Sequence, residues 1–79
     1  MPVPIQLPEI GAGDQTIRVS TWFVTIGDTV LEGDRLVEVA IPGATFDVSA
    51  PCAGEVVSIV TQEGAVITAG EMLGTIEEG

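Results

Sequence analysis

Apolar residues recur along this chain in short bursts, and a glycine or proline closes most of them within a few residues. Val, Ile and Thr dominate the bursts. Where a burst is longest, Ile17 and Val19 alternate with Arg18 and Ser20, the period of two that turns one face of a strand toward a core. No segment keeps a helical period between caps, and glycine and β-branched residues are too frequent for a long helix. The pattern predicts short strands at Pro2–Leu7, Thr16–Val24, Thr29–Leu31, Arg35–Ile41, Ala44–Ser49, Gly54–Val60, Val66–Ile67 and Met72–Glu77, with Arg35–Ile41 and Ala44–Ser49 forming a hairpin. Many short strands separated by tight turns make an all-β sandwich or barrel.

The chain also repeats itself. A shift of 37 positions carries Gly27 onto Gly64, Gly33 onto Gly70 and Leu36 onto Leu73. The same shift carries Val19 onto Val56, Val30 onto Ile67, Asp34 onto Glu71 and Val39 onto Ile76 without a gap. Matched glycines mark turns that need positive φ or close backbone approach. Two copies of one strand-turn unit predict a sandwich with pseudo-two-fold symmetry.

Composition narrows the partners. With 79 residues the chain is read as one domain, 1–79, with a modest core. Hydrophobic residues make up 46%, which excludes an acidic disordered chain. The net charge is −10, and the only cations are Arg18 and Arg35, because the chain has no lysine. Phosphate backbones and anionic membranes both need basic residues, so nucleic acid and membrane are excluded as expected partners. A protein with a basic surface is the better complement. The N-terminal residues lack a basic region followed by a long apolar run, so a cytoplasmic location is expected.

Candidate chemistry is sparse. The chain has no His and no Tyr. Glu32, Asp34, Glu38, Glu77 and Glu78 read as a solvated acidic face, and no loop has calcium-binding spacing. No catalytic residue and no metal ligand is expected. The single cysteine, Cys52, has no imidazole to activate it and is expected to be a buried or half-buried thiol. The Gly11–Gly13 stretch lacks the strand and helix of a phosphate-binding loop and reads as a turn.

Five stretches then carry a resemblance. Leu7-Pro8-Glu9-Ile10-Gly11 and Trp22-Phe23-Val24-Thr25-Ile26-Gly27-Asp28-Thr29-Val30 resemble the lipoyl domains of 2-oxo acid dehydrogenase complexes. So do Glu32 to Val39, Ala50-Pro51-Cys52-Ala53-Gly54 and Gly64 through Ile76. The resemblance to this biotinyl/lipoyl family implies a flattened barrel of two four-stranded antiparallel sheets, a barrel-sandwich hybrid. It implies a domain of a larger acyltransferase-like (E2) protein and partners among the other subunits of an acyl-transfer complex.

In that family a mid-chain hairpin turn carries Asp-Lys-Ala, or Met-Lys-Met in biotin carriers, and the lysine amine is joined to the cofactor. Here Pro42-Gly43-Ala44 lies over that turn, with Gly43 at the carrier-lysine position. The expectation is that neither lipoate nor biotin attaches, that the domain is not itself an enzyme, and that it acts through protein contacts. Pro followed by Gly suits a type II turn, so the hairpin itself is expected to persist. A second departure is Ile17, where the family often has the glycine that Gly54 supplies in the other half. The neighbouring loop, Gly11 to Thr16, is one that family members use for partner recognition, so inherited specificity is in doubt. Cys52 falls beyond the second strand of the hairpin, away from the tip. The alternative is an unmodified hybrid motif of a membrane-fusion or secretion protein. Those usually separate the two halves by a helical hairpin, whereas here the halves are contiguous.

Overall fold

The computed structural model describes residues 1–79 and contains eight strands. They are β1 (Pro2–Gln6), β2 (Ile17–Trp22), β3 (Thr29–Val30), β4 (Arg35–Ile41), β5 (Ala44–Ser49), β6 (Gly54–Ile59), β7 (Val66–Ile67) and β8 (Met72–Glu78). They form two four-stranded antiparallel sheets, ordered β1-β8-β6-β3 and β5-β4-β2-β7. The all-β fold expected from the sequence is therefore present, with strand ends differing by at most two residues.

The largest difference is at β2, which ends at Trp22 and not Val24. Glu63 takes the Trp22 amide N–H on its side-chain Oε2 (3.0 Å), and the indole Nε1 donates to the Thr61 carbonyl (2.9 Å). These bonds tie the end of β2 to the loop before β7, and one further backbone bond, Phe23 N–H to Leu36 O at 2.9 Å, follows before the chain leaves β4.

The internal repeat is a spatial symmetry. The 37-residue shift carries β2, β3 and β4 onto β6, β7 and β8, and the two sheets list these elements in the same order. β1 and β5 then hold equivalent edge positions. Register breaks repeat as well: β2 slips against β4 between Val19 and Thr21, and β6 slips against β8 between Val56 and Ser58. The halves lock through reciprocal bonds. Gly27 N–H donates to Val56 O, and Gly64 N–H donates to Val19 O, each at 2.8 Å. Gly27 and Gly64 have φ of 100° and 90°, a region open to glycine, which explains why the repeat retains them.

The repeated apolar positions meet between the sheets. Leu36, Leu73, Val39, Ile76 and Val56 are fully buried, and Val19, Val30 and Ile67 nearly so. The core is aliphatic, and Trp22, Phe46, Ile41 and Ile59 close its ends. β-Branched residues fit the pleated inner faces, so the composition that makes helices poor here makes the sandwich well packed.

Candidate functional site

The hairpin joining β4 to β5 closes on the Ile41–Ala44 pair, which leaves Pro42 and Gly43 as its two-residue loop. Gly43 has φ of 83°, and the molecule has no cis peptide. These are the dihedral preferences of a type II turn with Pro second and Gly third. Pro42, Gly43 and Ala44 are all exposed. A Cβ built on Gly43 would meet no heavy atom within 4 Å. The tip thus stands clear of the sheets, and no reactive side chain occupies it.

Beside the tip the two halves differ. In the second half, β6 pairs with β8 as far as Gly54 and Glu78. In the first half the matching β2–β4 ladder stops one pair earlier, at Arg18 and Ala40. The cause is side-chain size. A Cβ on Gly54 would overlap the Glu77 carbonyl oxygen and approach Ile76 Cγ2 to 2.8 Å. Ile17, at the equivalent position, packs its side chain into the core and pairs with Ile67 of β7. With the ladder shortened, a mainly apolar notch of about 220 Å³ lies beside the tip, lined by Thr16, Arg18, Ala40, Ile41 and Pro42. The glycine-to-isoleucine departure is visible in the sequence; the notch is not, because it depends on strand pairing.

The Gly11–Thr16 loop arches over β7 and buries Ala12. Between loop and strand lies an open cleft of about 290 Å³ that includes Glu9, Asp14 and Thr68. The Glu9 carboxylate accepts the Gly11 N–H at 2.8 Å, which fixes the start of the loop as a turn.

Cys52 is half-buried in the connection between β5 and β6, at the far end of β5 from the tip. Six residues of strand separate the two, or roughly 20 Å. Desolvation pushes its thiol pKa up, and the Glu78 and Glu32 carboxylates add to the shift. A thiol held in its neutral form is a poor nucleophile. The other acidic residues form no cluster of three that could hold a metal ion. Arg35 is held on the surface by Asp47 (Nε to Oδ2, 2.8 Å) and lies 4.3 Å from the centre of the Phe23 ring. Arg18 donates to the Gly64 carbonyl at 3.2 Å.

Two pseudo-symmetric four-stranded sheets with an exposed mid-chain hairpin define the lipoyl-domain fold. The solution structure of the lipoyl domain of the 2-oxoglutarate dehydrogenase complex from Azotobacter vinelandii superposes with a TM-score of 0.78 at 27% identity, covering 98% of each chain. The biotin/lipoyl family profile, described as "Biotin-requiring enzyme", matches residues 3–76, and the chain belongs to that family. Among curated proteins, it is similar to the dihydrolipoyllysine-residue succinyltransferase component of the 2-oxoglutarate dehydrogenase complex of Rickettsia conorii, at 34% identity over 79 residues. It is also similar to the dihydrolipoyllysine-residue acetyltransferase component of the pyruvate dehydrogenase complex of Staphylococcus aureus, at 32% over 77 residues. All of this chain aligns with 20% of the first protein, and 98% of it with 18% of the second. The chain thus spans about a fifth of the length of these relatives.

Proposed function

We propose that this is a lipoyl-type domain of an acyltransferase-like protein that does not carry lipoate or biotin and works through protein contacts. The observation that carries the reading is the absence of any lysine in a chain that keeps the family's fold. A cofactor carboxyl group needs an amine to form the stable amide of a swinging arm, and the residue that the family resemblance aligns with the carrier lysine is Gly43. Arg18 and Arg35 are the only cationic side chains, and a guanidinium stays protonated and is no substitute. The one amine is the Met1 terminus, which ion-pairs with Glu77 on β8 at 2.9 Å and is not on the β4–β5 hairpin. Cys52 is no substitute either, since its thiol is held neutral and it lies away from the tip.

The similarity to succinyl- and acetyltransferase components supports a place beside the other subunits of a 2-oxo acid dehydrogenase complex. The charge of −10 supports a basic partner surface. The domain contributes no catalytic group in this reading. The segment between the two repeated units, residues 42–53, holds only the two-residue turn, β5 and a short connection and no helical hairpin, which favours this reading over the membrane-fusion hybrid motif. Co-expression with a lipoyl ligase and a biotin ligase, followed by intact-mass measurement, tests it. An unmodified mass is expected, and a cofactor adduct would refute it.

A further inference from the structure

We infer that the free edge of β5 is a docking site for an extended segment of a partner protein, one that alternates basic and apolar residues and adds as a further strand. The inference starts from strand parity. Ala50 N–H donates to Asp34 O at 2.8 Å, and the hairpin closes on Ile41 and Ala44. β5 itself pairs without a slip, because the register break between Arg35 and Val37 puts the extra residue on β4. The backbone groups of Ala44, Phe46 and Val48 therefore face β4, and those of Thr45, Asp47 and Ser49 face outward. No strand pairs with that outer side. Three N–H donors and three carbonyl acceptors are thus left at one exposed edge.

The pseudo-symmetry supplies an internal control. β1 holds the equivalent edge of the other sheet. Leu7 N–H donates to Glu71 O at 3.0 Å, so Pro2, Pro4 and Gln6 are the outward residues of β1. Two of the three are prolines, which have no N–H to donate. Proline at outward positions is a recognised way to close a sheet edge, and lysine is another. β5 has neither. Its one charged residue, Asp47, is a carboxylate in a solvent-exposed pair with Arg35, so it repels acidic strands and leaves the edge open to basic ones.

The occupant follows from charge and shape. The register of two antiparallel β5 strands that uses every free donor sets Asp47 opposite Asp47 of the second copy. Like charges directly opposed are destabilising, and each chain carries −10. A second copy is therefore disfavoured. A foreign strand with lysine or arginine on the solvent side would lie beside Asp47, and one strand further is Glu38, which has no ion-pair partner. Apolar residues on its other side would cover Phe46, half-buried at this edge. Backbone bonds supply affinity in such strand addition, and alternate side chains supply the choice of partner.

This deepens the proposed interaction role and rests on it. A cofactor adduct would refute that role without touching the backbone amides read here, so the two can fail separately. The probe is a short capped peptide of alternating lysine and valine, titrated into the isotopically labelled domain. Amide shifts and slowed exchange are expected at Thr45, Asp47 and Ser49, with weakening by salt and at least roughly tenfold weaker binding to Thr45→Pro. That variant transfers the β1 device to a position with no ladder bond to lose. If it fails to fold, a peptide N-methylated on its pairing edge makes the same test on the unaltered protein. A response centred on the Gln6 edge, equal binding of a glutamate-for-lysine peptide, undiminished binding to Thr45→Pro or of the N-methylated peptide, or a domain that dimerises alone would overturn the inference.

Discussion

Placing a lysine at the tip separates what the turn tolerates from what a ligase accepts. In Gly43→Lys the new Cβ meets nothing within 4 Å, so steric crowding adds no cost. The backbone does, because φ at this position is 83° and Pro42 holds the turn type. An L residue in the left-handed region costs about 1–2 kcal/mol. The added positive charge on a chain of −10 recovers only a few tenths of a kcal/mol, so a net loss of about 1 kcal/mol is expected. For a domain of this size that corresponds to a fall in Tm of roughly 4–8 °C. Urea unfolding followed by Trp22 fluorescence measures the loss directly, since the chain has one tryptophan. In co-expression with lipoyl ligase the single variant should be modified poorly. Pro42→Asp combined with Gly43→Lys frees the turn to adopt negative φ at both central residues, and should regain stability and raise the lipoylated fraction. Complete lipoylation of the single variant, or no loss of stability in it, would refute the reasoning about the turn.

Three further outcomes follow from the geometry. Gly54→Ala forces a Cβ against the Glu77 carbonyl and should cost about 2–4 kcal/mol by denaturant unfolding, while Gly79→Ala, with open space around it, should cost almost nothing. Arg35→Ala removes an exposed ion pair and a ring contact, so its effect should stay within about 1 kcal/mol and shrink further at high salt. Cys52 should alkylate slowly at neutral pH, with a rate that rises through a midpoint above the ordinary thiol value of about 8.5; Glu78→Gln should bring that midpoint down.

Much of the architecture was legible in the chain because two local signals agree. Glycines at matched offsets fixed where the turns fall, and the Val/Ile alternation fixed which side faces inward. Gly27 and Gly64 have the positive φ that the repeat implied, and Leu36 and Leu73 are equally buried. The end of β2 was overestimated because Val24 continues an apolar run, while on the side away from β4 the Trp22 amide is taken by the Glu63 side chain and not by another strand. That partner lies 41 residues away, beyond any local pattern. The notch at Ile17 and the open edge of β5 have the same origin. Each depends on which strands pair and in which phase, so Pro2 and Pro4 acquire meaning only once β1 and β5 are seen as equivalents. The position of Gly43 was legible from the hairpin signal Ile41-Pro42-Gly43-Ala44, but its clearance from the sheets needed the fold.

Whether this domain accepts a cofactor is a covalent question. Intact-mass spectrometry of the unaltered chain, after co-expression with lipoyl and biotin ligases and an excess of each cofactor, answers it most directly. A single species at the mass of the unmodified polypeptide is expected. A lipoyl or biotinyl adduct on any residue would contradict it.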